Sequence, residues 1–225
     1  MTMSDRAAAP RIAVIDYGAG NLVSIEQALE RVGARPSIVR DARALRDHDG
    51  MIVPGVGAAG PAMARLRRRG LLDPVRAWLA ADRPFLGICL GMQLLFEGSD
   101  EDGAETLGVL AGRTVVLEEA PTLPHIGWNQ VLRTAEHPIF SGIAQSADFY
   151  FVHSYAGLPA GGIDDDVVLA QTEHGLPFVS AVARRAVLGV QFHPERSGDD
   201  GLRLLGNFTA IVRAAMPSIP DPVAV

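Results

Sequence analysis

Phe85-Leu86-Gly87-Ile88-Cys89-Leu90-Gly91-Met92-Gln93 places the only cysteine of the chain between two glycines, after an apolar run and before a helix-like segment. This is the layout of a nucleophile elbow. In an elbow the nucleophile sits on a sharp, strained strand-to-helix turn, and the flanking glycines let neighbouring backbone pack closely. The next residue's N–H can then face a developing oxyanion. A helix N-terminus behind Cys89 would favour the thiolate, because unpaired N–H groups and the macrodipole stabilise negative charge. The competing reading is a buried structural thiol, which is how most free cysteines behave.

Outward from the elbow, apolar runs alternate with segments of helical period, as in a mostly parallel sheet covered on both faces. Arg11 to Tyr17 reads as the first strand, and Asn21 to Val32 as a helix with Asn21 as N-cap. Ser37 to Arg40 and Gly50 to Val53 read as strands, Ala58 to Arg69 as a helix ended by Gly70, and Leu71 to Ala81 as another helix. Phe85 to Ile88 is then a central strand and Leu90 to Glu97 the helix behind it. From about Gly108 the pattern changes to short β-like pieces: Arg113 to Leu117, Trp128 to Leu132, Phe149 to Val152, Val167 to Thr172, Val179 to Ala183 and Ala186 to Gln191. These predict antiparallel pairing in the second half. Asp200 to Ala214 predicts a closing helix. The expected fold is α/β: an open, mostly parallel twisted sheet flanked by helices, with an antiparallel second half. One domain is expected over 10–215, with poorly ordered ends at 1–9 and 216–225.

A cysteine nucleophile needs a base, and the base an orienting group. Six histidines compete for the role. His193, in Val190-Gln191-Phe192-His193-Pro194-Glu195-Arg196-Ser197, follows an apolar run, and Pro194 disfavours the helical region for it. In extended backbone residues i and i+2 project to one side, so Glu195 can lie beside the His193 ring. His137 also precedes a proline, but its neighbour Glu136 would point away. His48 and His174 stand in polar stretches and read as solvated loop residues.

Composition limits the function classes. Among 225 residues, 48% are hydrophobic and 20% charged, a globular balance, and the net charge of −6 argues against a general nucleic-acid or anionic-membrane surface. The cluster Arg65-Leu66-Arg67-Arg68-Arg69 reads as the solvated face of a helix. One cysteine allows no intrachain disulfide, and no pair has zinc-ligand spacing, so a reducing cytoplasmic setting without a metal site is expected. Met1 to Ala9 lacks a signal-peptide core, and no window approaches a membrane span. Gly18-Ala19-Gly20 fails as a dinucleotide fingerprint, since Val23 stands where the third glycine belongs.

Gly87-Ile88-Cys89-Leu90-Gly91-Met92-Gln93 and His193-Pro194-Glu195 resemble the two signatures of class I glutamine amidotransferases, whose triad is Cys-His-Glu. Four more segments are similar to those of the glutaminase subunits of imidazole glycerol phosphate synthases. They are Asp16-Tyr17-Gly18-Ala19-Gly20-Asn21, Pro54-Gly55-Val56-Gly57, Pro124-His125-Ile126-Gly127-Trp128-Asn129 and Tyr150-Phe151-Val152-His153-Ser154-Tyr155. The resemblance runs from Arg11 to about Val212. It implies catalysis by Cys89, His193 and Glu195, and an oxyanion hole from the Val56 and Leu90 N–H groups. It places glutamine on Gly57, Gln93, Glu101 and His153-Ser154-Tyr155. It makes Asp16, Tyr17, Gly18, Asn21, Trp128, Asn129 and Arg196 the face toward a separate (β/α)₈-barrel cyclase subunit, with no cofactor.

Each segment also has a plainer reading. Pro54-Gly55-Val56-Gly57 could be an ordinary glycine-rich turn, Ser99 to Asp102 a solvated loop, and Trp128 core packing. Arg196 departs from the family, which commonly has lysine after His-Pro-Glu; Arg and Lys differ in fork geometry and hydration. Three other functions compete: a glutaminase subunit of another pathway, pyridoxal 5′-phosphate or anthranilate synthesis, a non-catalytic regulatory module on the same fold, and a cysteine hydrolase unrelated to glutamine. His153-Ser154-Tyr155 and Asp16 to Asn21 argue against the first, the intact triad against the second.

Overall fold

The chain alternates strand and helix through its first half because each apolar strand must cover both of its faces. The structure, a computed structural model, describes residues 9–216. Apart from Ala9 and Met216, the expectations for 1–9 and 216–225 lie outside the described residues. The first four strands are β1 (Arg11–Ile15), β2 (Arg35–Val39), β3 (Gly50–Gly55) and β4 (Phe85–Cys89). Five helices follow in chain order: α1 (Leu22–Arg31), α2 (Ala59–Arg68), α3 (Leu72–Ala80), α4 (Leu90–Gln93) and α5 (Gly198–Ala215). A three-stranded sheet is built from β5 (Gly98–Ser99), β6 (Gly112–Val116) and β9 (Tyr155–Pro159). The remaining strands are β7 (His125–Arg133), β8 (Ser146–His153), β10 (Val168–His174), β11 (Leu176–Arg184) and β12 (Val187–Val190).

The main sheet has nine strands in the order β2-β1-β3-β4-β12-β11-β10-β7-β8. Pairing is parallel from β2 to β12 and antiparallel from β12 to β8. The expected change of pairing therefore falls at β12, the strand that leads to His193. Alternation along β1 divides the interior in two. Ile12 and Val14 join a core with Ile25 and Leu29 of α1 and Leu204 and Phe208 of α5. Ala13 and Ile15 join another with Leu66 of α2 and Val75 and Leu79 of α3. Burying each large aliphatic side chain contributes about 1.5–3 kcal/mol.

The Asn21 side-chain oxygen accepts the Ser24 N–H at 3.3 Å and starts α1. Gly70, at φ +65°, follows the end of α2. The helix expected over Leu90 to Glu97 is in fact a single turn. The carbonyls of Leu94, Leu95 and Phe96, which would carry it on, instead accept N–H groups from Leu107 to Leu110 at 2.8–2.9 Å. The loop before β6 thus takes up the acceptors that helix elongation needs, and the chain leaves toward β5.

The arginine cluster is not simply a solvated face. Arg65 donates to the Gly18 carbonyl at 3.1 Å, and Arg69 donates to the Asp16 carbonyl at 2.5 Å. Arg69 also pairs with the Asp16 carboxylate at 3.2 Å, and Arg40 does so at 2.8 Å. Burial pushes the Asp16 carboxyl up, but the Gly18 N–H and the two arginines outweigh it and hold its pKa below the usual value. His48 also departs from expectation. It is half-buried and contacts Ser37 Oγ at 2.5 Å. His174 donates to the Thr122 carbonyl at 2.9 Å and stacks on His125.

Candidate active site

Strands β4 and β12 are parallel neighbours, with Ile88 opposite Val190, so both carboxyl ends open on one sheet edge. That edge receives Cys89 from one strand and His193 from the other. Cys89 adopts φ +54° and ψ −112°, a strained conformation for a residue with a side chain, costing on the order of 1–3 kcal/mol. Its glycines are required by space. A Cβ on Gly91 would strike the Val53 carbonyl, and one on Gly87 the Gly91 carbonyl.

His193 is extended at φ −105° and ψ 92°, and the short 3₁₀ turn Pro194–Arg196 folds Glu195 back beside it. The His193 Nδ1–H donates to Glu195 Oε1 at 2.9 Å, with the two side chains only 7% and 2% exposed. Main-chain contacts anchor the ring from behind: the His193 N–H donates to the Tyr150 carbonyl at 2.9 Å, and Ser197 Oγ donates to the His193 carbonyl at 2.6 Å. Burial alone would depress the His193 pKa; the adjacent Cys89 and Glu195 side chains outweigh it and lift it to about 10. His193 Nε2 makes no well-formed hydrogen bond among the described residues, and the neighbouring Cys89 thiol is among the groups that raise the ring's pKa, a placement suited to proton exchange between them.

Beside Cys89 lies a cavity of about 210 Å³ lined by Val56, Gly57, Cys89, Gln93, Glu101, Pro124, Val152, His153, Ser154 and Tyr155. Every residue that the family resemblance assigned to substrate is on its wall. Gln93 Nε2 donates to the Tyr155 carbonyl at 2.7 Å and to Gln191 Oε1 at 3.1 Å, and Gln191 Nε2 donates to Cys89 Sγ at 3.6 Å. With both N–H groups used, Gln93 keeps only its oxygen for a ligand. Burial, then the neighbouring Asp102, raises the Glu101 pKa. Leu90 is buried, and its Cβ lies 3.1 Å from where a Cβ on Gly55 would stand. A larger apolar cavity of about 240 Å³, between the small sheet and β11, contains none of these groups.

The residues assigned to a partner-facing surface divide. Gly18, Asn21, Trp128 and Arg196 are exposed and Asn129 is partly so. Asp16 and Tyr17 are not on the surface: Asp16 is enclosed by its arginines, and Tyr17 is packed under Gly55. Trp128, at 57% exposure, is not core. Its ring meets Tyr150 edge-on, and the Arg196 guanidinium lies 3.9 Å over the same Tyr150 ring. The sequence reading missed Gln191, Ser197 and the buried place of Tyr17. Gln191 was within reach of it, because it stands two residues before His193 in extended chain.

The family model described as Glutamine amidotransferase class-I matches residues 13–211. The "Imidazole glycerol phosphate synthase subunit HisH" of Sulfurimonas denitrificans is 44% identical over 204 residues, covering 88% of this chain and 97% of that protein. The HisH subunit of Symbiobacterium thermophilum is 45% identical over 203 residues, covering 90% and 94%. Among solved structures, PurLQS from Thermotoga maritima superposes with a TM-score of 0.70 at 20% identity, over 89% of this chain and 97% of that one. A structure described as glutamine amidotransferase gives 0.69 at 22% identity, over 89% and 98%. The structural likenesses speak to fold alone, whereas the sequence matches extend over nearly the full length of both partners. The chain belongs to the class-I glutamine amidotransferase family and, within it, to the HisH subunits of imidazole glycerol phosphate synthase.

Proposed function

We propose that this chain hydrolyses glutamine and hands the ammonia to a separate (β/α)₈-barrel cyclase in histidine biosynthesis, the two forming a heterodimer. The observation that carries the reading is a strained cysteine facing a histidine whose far nitrogen is fixed by a buried carboxylate at 2.9 Å. In this mechanism Cys89 gives its thiol proton to His193 and its Sγ attacks the side-chain amide carbon of glutamine. The C–N bond breaks as His193 passes a proton to the departing nitrogen, which leaves as ammonia. His193 then takes a proton from water, which attacks the γ-glutamyl thioester and releases glutamate. Glu195 orients His193 and stabilises its charged form. The Val56 and Leu90 N–H groups serve the oxyanion, a type of contact worth on the order of 10²–10³ in rate per donor.

The remaining roles follow from the cavity wall. Glu101 and the Gln93 oxygen take the substrate's ammonium group, while Gly57, Ser154, Tyr155 and His153 enclose the rest. Trp128, Asn129, Arg196, Gly18 and Asn21 face the cyclase. A reducing, cytoplasmic setting belongs to this reading, since Cys89 is a free thiol and must remain one. No helix among the described residues is long and apolar enough to cross a membrane.

The test is single labelling by a diazo-ketone glutamine analogue, together with glutamate release in the presence of the cyclase. Label should fall on Cys89 alone, and Cys89→Ala should release no glutamate. Undiminished turnover in Cys89→Ala would end the thioester mechanism.

A further inference from the structure

Three hydrogen bonds beside the cavity, from Asn129 to His125 to His153 to the Tyr155 carbonyl, run in one direction. Asn129 Nδ2 lies 2.8 Å from the Glu173 carbonyl, which can only accept, so it is the nitrogen of that amide; Asn129 Oδ1 correspondingly accepts the Gln130 N–H at 2.8 Å. The same Nδ2 lies 3.2 Å from His125 Nε2, which must therefore be the bare, accepting nitrogen of its ring. At the other end, His153 Nδ1 lies 2.9 Å from the Tyr155 carbonyl and so carries the proton, leaving His153 Nε2 bare. Between the rings, His125 Nδ1 stands 3.3 Å from His153 Nε2 and is the only nitrogen of the pair able to donate. The two outer carbonyls thus fix both tautomers.

We propose that His125 and Asn129 are positioning residues of the glutamine pocket, acting through a one-way chain from Asn129 to His125 to His153 to the Tyr155 carbonyl. This rests on the glutaminase reading of that cavity. The Tyr155 carbonyl also accepts from Gln93, whose amide continues through Gln191 to Cys89 Sγ. The chain therefore reaches from β7, the strand that bears exposed Trp128, to the nucleophile. Packing holds the central ring, since His125 stacks on Phe151 at 5.0 Å and on His174 at 4.1 Å, with interplanar angles of 26° and 22°. His125 and His153 are also register partners across β7 and β8. Burial and the neighbouring histidines push the pKa of His125 down to about 4 and that of His153 to about 3, which keeps both rings neutral, as the chain requires.

Long-range ¹H–¹⁵N spectra of the histidine-labelled chain read the tautomers directly, with assignments from single-site variants. Both rings should be Nδ1–H and unchanged from pH 8 to 5.5. An Nε2–H tautomer, or protonation of either ring in that range, overturns the proposal. Kinetics with the cyclase supply the second arm. His125→Phe keeps the stacking but removes the donor, and should raise the KM for glutamine about tenfold or more with a smaller change in kcat. His125→Asn puts an amide N–H near the Nδ1 position and should stay within about threefold of the parent. Equal KM in the parent and His125→Phe would also overturn the proposal. If the parent releases no glutamate, the glutaminase reading fails, while the spectra still decide the chain.

Discussion

Gly55→Ala tests how tightly the segment before Val56 is fitted against Cys89. Gly55 does not use left-handed backbone, so alanine meets only an obstacle of space. Its methyl would run into the Tyr17 hydroxyl and stand 3.1 Å from Leu90 Cβ and 3.2 Å from Tyr17 Cζ. Neither neighbour can retreat into solvent, as Tyr17 and Leu90 are each 1% exposed. Overpacking of this kind costs about 1–3 kcal/mol. Tyr17→Phe has the opposite character. The Tyr17 hydroxyl is buried with no hydrogen-bond partner among the described residues, and removing an unpaired polar group relieves a desolvation penalty of about 1–3 kcal/mol. Loss of its packing contacts offsets part of this, so the single variant should be neutral or more stable by up to about 1 kcal/mol.

In the double variant the worst overlap is gone and two contacts just above 3 Å remain, which shifts of a few tenths of an ångström can relieve. The pair should be non-additive, with about 1–2 kcal/mol of the Gly55→Ala loss recovered. Urea unfolding of the four proteins measures this, provided the slopes agree. Glutamate release with the cyclase should follow the same order. Gly55 is in register with Cys89, so a displaced β3 end moves Val56 relative to the thiol. A loss of about tenfold in kcat for Gly55→Ala, roughly 1.4 kcal/mol, should be partly restored in the double variant. Stabilities that add within about 0.5 kcal/mol would refute the packing argument.

His193→Ala should be severe in glutamate release; Glu195→Gln keeps an acceptor for Nδ1–H and should be milder, and equal losses would mean that Glu195 does more than orient the ring. Arg196→Lys keeps a cation near the Tyr150 face and should change turnover by less than about threefold, roughly 0.7 kcal/mol, whereas Arg196→Ala should weaken coupling to the cyclase; lysine as damaging as alanine would assign the effect to guanidinium geometry. His153 has a folded pKa of about 3 against 6.5 unfolded, so the unfolded chain binds the extra proton and stability falls as pH drops below 6.5, by up to about 1.4 kcal/mol per pH unit. His153→Gln should flatten that slope by one proton in unfolding measured between pH 6 and 4, and an unchanged slope would mean that the ring is not held neutral.

The first half of the fold was legible because each strand there announces itself as a short apolar run and each helix by its period. Even so, the helix after Cys89 was overread. Leu90 to Glu97 has the composition of a helix, and only carbonyl acceptors shared with Leu107 to Leu110, a contact made by a later loop, cut it to one turn. Strands β5 and β9 escaped notice for a related reason. Gly98–Ser99 is two residues long, and Tyr155–Pro159 is separated from β8 by the single residue Ser154, too short a break to mark two strands.

The site was legible where its residues are neighbours along the chain and obscure where register assembles it. Cys89 is identified by its glycines, and Glu195 by its place two residues after an extended His193. Gly55 and Gly57 look equivalent in sequence, yet Gly57 serves for its backbone at φ +92° while Gly55 serves for the space that the Tyr17 hydroxyl fills. Tyr17 was assigned to the partner face by family resemblance, together with Asp16 and Gly18, although its own strand reading put it at the end of β1. Three groups enclose this stretch from outside it: Arg40, Arg69 and the end of β3. His125 and His153 show the limit most clearly. They stand 28 residues apart, and they meet because β7 and β8 pair with His125 opposite His153. A slip of one residue in that pairing would send one ring to the other face of the sheet. The bond between them therefore depends on register, and a variant that shifts the β7–β8 turn should lose the His125-to-His153 bond while leaving the Cys89 elbow intact.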